Sequence, residues 1–431
     1  MTMIPESLSF AIVAGLPPLT GLYGAFLMGI ITAIIGGRPG MISGGAGATV
    51  IVMIPLILTY GIEYFFAAVA LAGLIQILVG VFRLGKFVRL VPQPVMYGFL
   101  NGLAVVIFMS QLEQFKTGTG IAAQWLQGES LYIMLGLVLV TLLLVHFIPK
   151  ISKALPTTLI AIAIVFALVH GFGIETKTVQ DIASISGSLP PFHIPQIPFT
   201  LETLQIIFPY AAIMAGVGLL ETLLTLTLVD EVTETRGNAN KESVAQGIAN
   251  ITNGFFTGMG GCAMIAQTFV NLNAGARQRL SGVVSALAIL LIILVGAPLI
   301  EKIPMAALVG VMMMVAITTF SWGFFKKMTK MPKSDILVTI VVASITIIFH
   351  NLAYAVLIGI IISALVFAWE SAKRIRARKY VDENGVKHYE IFGPLFFGSV
   401  ANFNEKFDTT NDPETIMISF KESRISDMSG I

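Results

Sequence analysis

Charge is scarce in this chain. Asp, Glu, Lys and Arg make up 12% of its 431 residues, about half the roughly 25% of an ordinary soluble protein, which excludes a water-exposed globular exterior. Cysteine is scarcer still: Cys262 stands alone, so no internal disulfide can form and the redox compartment stays open. The five histidines, His146, His170, His193, His350 and His388, are dispersed without metal-ligand spacing. No phosphate loop, nucleophile motif or paired catalytic carboxylate stands out, so neither an enzyme nor a cofactor or metal site is expected. A net charge of +2 argues against nucleic acid as a partner. The start lacks the basic region and cleavage site of a signal peptide.

Apolar sequence fills the chain instead. Hydrophobic residues reach 56% and the mean hydropathy is +0.87. Runs such as "LYIMLGLVLVTLLLVHFI" and "SGVVSALAILLIILVGAPLI" approach the roughly 20 residues that cross a membrane core as a helix, and none alternates as barrel strands do. Apolar stretches bounded by Gly, Pro or charge lie at 2–14, 20–36, 46–60, 63–82, 94–112, 130–148 and 153–171, then at 205–229, 241–256, 262–272, 281–299, 304–319, 335–349 and 352–370. The expected fold is a polytopic α-helical membrane domain over 1–372, with repeats at about 1–171 and 205–370. Basic residues concentrate in cytoplasmic loops, and this alternation supports fourteen segments. With the first running outward, inside loops hold Arg38, Arg83, Lys86, Arg89, Lys150, Lys153, Arg236, Lys241, Arg277, Arg279, Lys326, Lys327, Lys330 and Lys333, against Lys116, Lys177 and Lys302 outside. The nine remaining basic residues follow the last span, opening with "SAKRIRARK". From Tyr380 the pattern turns soluble: "HYEIFGPLFFG" and "TIMISF" alternate like strands around a short helix at "SVANFNEKF". A small α/β domain over 380–431, incomplete at Ile431, is expected.

The halves match. The third stretch of each is short and preceded by glycines, at "GGRPGMISGG" and "GMGGCAMIAQTFVNL", a pointer to a transporter site built from inverted repeats. Two half-helices entering from opposite sides would aim their positive N-terminal ends at one spot near the midplane, which favours an anion. Their first turns are Ala46, Gly47, Ala48 and Thr49, and Gly261, Cys262, Ala263 and Met264; ordinary packing through small residues is the competing reading. Glu6 in the first segment and Glu221 in the eighth are ionisable groups inside a membrane, functional candidates by default. Thr225 lies one turn beyond Glu221 on the same face. Glu221 with Thr225 could hold Na⁺, either carboxylate could carry H⁺, and a neutral hydrogen-bonded structural Glu is the alternative. Pro5 is expected to break the helix and free a carbonyl near the site. Glu63, Glu113 and Asp230 fall at span ends and read as solvated, and "VMMMVAI" reads as packing.

"IPESLSFAIVAGLPPLTGLYGAF" and "NKESVAQGIANITNGFFTGMGGCAMIAQTFVNLNAGARQRLSG" resemble the two signatures of the SulP family of sulfate permeases and related anion transporters, and "GPLFFGSVANF" through "RISDMSGI" resembles the opening of its cytoplasmic STAS domain. The resemblance implies a seven-plus-seven inverted repeat, a core domain moving against a gate domain, a homodimer, and residence in the inner cell membrane among lipid as a multi-pass protein. Carried over, the anion site falls on Ala46 to Thr49 and on Cys262, Ala263, Met264 and Ile265. The coupling-ion positions fall on Glu221, Thr225 and Glu6. Some animal members carry an arginine where Gln267 stands. The regulatory phosphorylation position of related domains falls on Met428, beside Ser429. Only four residues precede Pro5, so the first span is short. The expected function is secondary transport of a small inorganic anion, sulfate first, by H⁺ symport or exchange, with Na⁺-coupled bicarbonate transport as the alternative. A nucleobase permease and a non-transporting scaffold are more distant rivals.

Overall fold

In a medium without water, a helix satisfies every backbone group within its own segment, and each of the fourteen apolar stretches contributes at least one helix in the computed structural model, the third being broken in two and the tenth opening with a short strand. The structure describes residues 3–85, 92–117, 124–151, 157–181, 187–349, 352–383, 385–408 and 410–430. Lys86, Arg89, Lys153 and His350 lie outside the described residues. The first half comprises α1 (Met3–Val13), α2 (Pro18–Ile35), β1 (Ser43–Gly44), α3 (Gly47–Ile51), α4 (Ile54–Tyr60), α5 (Ile62–Val81), α6 (Gln93–Leu112), the short strands β2 (Lys116–Thr117) and β3 (Gln124–Trp125), α7 (Glu129–Ile151) and α8 (Thr157–Phe172). The second comprises α9 (Leu201–Thr233), α10 (Ala239–Phe255), β4 (Cys262–Ala263), α11 (Ile265–Asn273), α12 (Arg279–Glu301), α13 (Met305–Thr319), α14 (Trp322–Lys327), α15 (Lys333–Phe349) and α16 (Leu352–Ala372). Seven of the described helices are long and apolar enough to cross a membrane.

The densest packing joins the halves rather than lying within them: α5 packs on α10, α2 on α12, α6 on α15 and α7 on α13. Glycine sets the α5–α10 separation. A Cβ on Gly73 would sit 2.5 Å from the Gly247 carbonyl oxygen, and one on Gly247 would sit 2.4 Å from that of Gly73. Such mutual contact brings backbones together where lipid provides no hydrophobic drive for association. It also explains how α10, with Glu242, Gln246, Asn250 and Asn253 all buried, persists inside the domain: its polar side chains face loops and strands that hydrogen-bond them.

Two of the residues expected to be solvated are paired instead. Glu63 accepts from His193 Nε2 at 2.8 Å and from the Gln196 amide at 2.7 Å. Asp230 lies 3.1 Å from Arg38 Nε and accepts from the Gly237 amide. Both sit at helix ends where loops fold back over the membrane domain, a long-range return that spacing does not reveal. Glu113 is exposed, in a surface pair with Lys116. Arg38, counted among loop cations, is itself buried. Its guanidinium donates to the Val229 carbonyl and to the Thr233 and Thr235 hydroxyls at the end of α9.

After α16 the chain forms β5 (Arg376–Val381), β6 (Lys387–Leu395), α17 (Val400–Asn404) and β7 (Ile416–Ile425). β5 pairs antiparallel with β6, and β6 pairs parallel with β7. The sheet thus begins at Arg376, inside the basic run and ahead of Tyr380. Its core gathers Ile375, Tyr389, Ile391 and Leu395, with Phe403 and Phe407 against them. Asn402 Nδ2 donates to the Ala372 carbonyl, tying this unit to the end of α16. The Tyr389 hydroxyl and Lys387 both donate to Asp412.

Replacing Gly247 with Val is expected to lower the thermal unfolding midpoint in detergent by overpacking the α5–α10 crossing, a penalty of about 1–3 kcal/mol or more; size-exclusion chromatography of heated samples checks it, and an unchanged midpoint would show that the helices can separate freely. The hydrogen bond from Lys387 holds the Asp412 carboxyl below its ordinary value. Its contribution to the C-terminal unit is therefore complete above the ordinary carboxyl range near about pH 4 and lost as pH falls through the depressed value. Amide exchange in β6 should accelerate on acidification into that range in the native chain, and Asp412→Asn should remove this acid step.

Candidate functional site

Two extended segments inside a membrane domain need partners for their backbone, and these two use each other. β1 pairs antiparallel with β4, Ser43 opposite Ala263 and Gly44 opposite Cys262. The remaining groups are met one by one: the Met264 amide donates to the Ile42 carbonyl at 2.9 Å, the Ile42 amide to Thr268 Oγ1 at 3.0 Å, and the Ala263 amide to Thr222 Oγ1 at 3.1 Å. Glycine permits the closeness, since a Cβ on Gly261 would lie 1.9 Å from the Gly44 carbonyl oxygen, and one on Gly47 would enter the Phe10 ring.

This pairing holds the starts of α3 and α11 beside each other. α3 begins at Gly47 with Ala46 as its N-cap, and Thr49 Oγ1 donates to the Ala46 carbonyl at 2.8 Å. The expected single half-helix over 46–60 is broken at Val52 and Met53, because Pro55 in the first turn of α4 cannot donate back into α3. The field at Gly47 is thus that of little more than one turn. α11 has nine residues and starts at Ile265, with Met264 as N-cap. Among Cys262, Ala263, Met264 and Ile265, the amides of Ala263 and Met264 are committed to Thr222 and Ile42, so the donors of a helix start begin at Ile265. Cys262 and Ala48 are buried beside them. Pro5 does not break a helix: it lies in the first turn of α1, where proline is tolerated.

Both carboxylates converge on the start of α11. Glu6, 9% exposed, accepts from Gln267 Nε2. Glu221 accepts from Cys262 Sγ at 3.1 Å. Gln267 thus supplies a neutral amide to a carboxylate. Thr225 is fully buried, its hydroxyl donating to the Glu221 carbonyl at 2.7 Å, which leaves its oxygen lone pairs available. α9 therefore presents Gly218, Glu221, Thr222 and Thr225 along one face, at the i, i+3, i+4, i+7 spacing of neighbours on a helix.

Two polar chains around this centre escape a reading of spacing alone. In one, buried Glu242 accepts from the Gly37 amide at 2.7 Å, the Arg38 amide at 3.2 Å and Gln246 Nε2 at 2.9 Å, and Gln246 Nε2 also donates to Ser43 Oγ on β1. In the other, Asn250 grips both sides of Gly261, its Oδ1 accepting from the amide at 2.8 Å and its Nδ2 donating to the carbonyl at 3.0 Å; Nδ2 also donates to Gln76 Oε1 at 2.8 Å. The available signal was an isolated amide in the apolar run "LAGLIQILVGV" and the i, i+4 spacing of Glu242, Gln246 and Asn250. Among the described residues no group of three His, Cys, Asp or Glu side chains is placed to hold a metal ion.

Comparison with known proteins identifies the family and the fold. The model of the sulfate permease family matches residues 1–342. The chain is 40% identical over 430 residues, covering all of it and 87% of the relative, to the Bacillus subtilis protein named "Putative sulfate transporter YbaR". It is 28% identical to the bicarbonate transporter BicA of Picosynechococcus, covering 97% of this chain and 81% of that protein. The solved transmembrane domain of a cyanobacterial BicA superposes with a TM-score of 0.70 at 28% identity, covering 84% of this chain and 93% of the other. Murine Solute Carrier 26 family member A9, an anion transporter, shares the fold, with a TM-score of 0.81 at 16% identity over 99% of this chain and 80% of that one. The domain is therefore a membrane-embedded α-helical one of the kind found in those two transporters, and this chain belongs to the sulfate permease family.

Proposed function

We propose that the chain is a secondary active transporter of small inorganic anions, sulfate first, working by H⁺ symport or anion exchange. The observation that carries this reading is the convergence of Glu6 and Glu221 on the start of α11. An anion at that helix start meets favourable amide dipoles and unfavourable carboxylates at once. Two like charges a few ångströms apart repel by on the order of a few kcal/mol at a protein-like dielectric. Adding a proton to either carboxylate removes that repulsion, so anion and proton promote each other's binding, and the coupling is reciprocal. The names of the relatives favour sulfate.

Na⁺-coupled bicarbonate transport is the second reading, supported by Thr225, whose oxygen lies one helical turn from the Glu221 carboxylate and keeps free lone pairs. The cross-packing supports an inverted repeat: exchanging the halves interconverts the α5–α10 and α2–α12 contacts, and likewise the α6–α15 and α7–α13 contacts. In this reading the helices around β1 and β4 form a core that moves against a gate containing α6, α7, α13 and α15. The transporter works as a homodimer in the inner membrane, with the unit after α16 in the cytoplasm as the opening of a STAS domain over 380–431.

Proteoliposomes bearing the protein should accumulate radiolabelled sulfate faster under an inward proton gradient, with the apparent KM falling as external pH is lowered; absence of any proton stimulation would sink the symport version. Glu221→Gln should keep sulfate exchange while reducing gradient-driven uptake by about tenfold or more, and unchanged gradient dependence would remove that residue from the coupling. Stimulation by an inward Na⁺ gradient that disappears in Thr225→Val would favour the bicarbonate reading.

A further inference from the structure

Gln76 is a fully buried amide on α5 that the proposed mechanism does not yet use. Its orientation follows from the backbone. The Gly261 amide can only donate and the Gly261 carbonyl can only accept, so Asn250 is fixed with Oδ1 to the former and Nδ2 to the latter. Asn250 Nδ2 in turn needs an acceptor on its far side, which fixes Gln76 with Oε1 toward it. Gln76 Nε2 is left facing the other way, and among the described residues it has no hydrogen-bond partner. Buried donors are paired in native proteins as a rule, and an orphan of this kind calls for a specific explanation.

What Nε2 faces is the candidate site. A methyl group built on Gly218 would lie 3.1 Å from Gln76 Nε2, 3.3 Å from Thr49 Cγ2 and 3.6 Å from Cys262 Cβ. The orphan donor, the hydroxyl-bearing residue at the start of α3 and the thiol beside Glu221 thus surround one narrow cradle, into which Gly218 extends no side chain and where an added methyl would be crowded. From this we infer that Gln76 is an anion-binding residue whose Nε2 donates a hydrogen bond to an oxygen of the transported oxyanion, held in aim by Asn250. This inference rests on the anion reading above and adds to it a donor from a helix that supplies none of the positions carried by the family signatures. It gives the site a directional contact, where helix starts and carboxylates offer chiefly charge. Asn250 acts through Gln76 and Gly261 and is a positioning residue.

Two substitutions on the full chain, purified in detergent, test the assignment through equilibrium binding of radiolabelled sulfate and through the rise in melting temperature that sulfate produces. Gln76→Met keeps the volume and leaves both bonds from Asn250 to Gly261 in place. Gly218→Ala leaves Gln76 untouched and fills the cradle with one methyl, which the flexible amide accommodates by shifting a few tenths of an ångström. Each should raise the sulfate Kd by about tenfold or more, the usual loss for a hydrogen bond to a charged ligand, and shrink the sulfate-dependent melting shift. A Kd within about twofold of the parent chain in either variant overturns the assignment while leaving the transporter reading intact. If Gln76→Met does not fold, Gly218→Ala decides alone. If the parent chain binds neither sulfate nor bicarbonate, the anion reading fails and the role of Gln76 with it.

Discussion

Everything at the centre of this domain depends on a pairing of two residues with two. Extended backbone within a membrane has no water to satisfy it, and β1 and β4 persist there only because each is the other's partner. The consequences spread outward from that ladder. Gly261 must lack a side chain for the strands to meet, Thr222 and Thr268 supply the donors and acceptors the ladder leaves over, and Asn250 closes the open side of Gly261. The starts of α3 and α11, and with them the positions of Glu6 and Glu221, are set by where the ladder ends.

The surroundings of the ladder are built for stiffness. α10 carries a row of buried polar side chains, of which Glu242, Gln246 and Asn250 are engaged by neighbouring loops or strands, and it lies against α5 at glycine-to-glycine distance. Arg38, drawn out of the loop after α2, binds the last turn of α9 while its backbone amide joins that of Gly37 on Glu242. Buried charge of this sort adds little net stability but is destabilising to break, since removing one partner leaves the others unpaired. By contrast α7 and α12, largely unburied in the fold, keep their charged residues at their ends, with long apolar runs between.

Much of this was legible in the residues. Each of the fourteen apolar stretches contains a helix, though the third is broken in two, and the two glycine-flanked short segments proved to be preceded or opened by the paired strands. Glu6 and Glu221, singled out as carboxylates inside a membrane, bond Gln267 in the first turn of α11 and Cys262 on the strand that leads into it. What spacing could not reveal were contacts across long separations: Arg38 returning to Asp230, Glu63 to His193, and Ser43 reached by Gln246. Nor could composition tell that Ala263 and Met264 would give their amides to Thr222 and Ile42, which depends on the register of the ladder. Gln76 was visible as a lone amide among apolar residues, yet its significance lies in a chain of donors and acceptors that only the folded arrangement makes readable.

The glycine crossing of α5 and α10 also bears on motion. Two helices that touch through bare backbone cannot slide past each other without a collision between the next side chains along, such as Val244 against Gly80 and Ala70 against Gly254. On the proposed core-and-gate reading they would travel as one body, and through Asn250 they would take Gly261, Gln76 and the ladder with them. A bound ion would then ride in an unchanging cage as the protein turns from one side of the membrane to the other, and its affinity would be altered by what the cage is exposed to rather than by any rearrangement within.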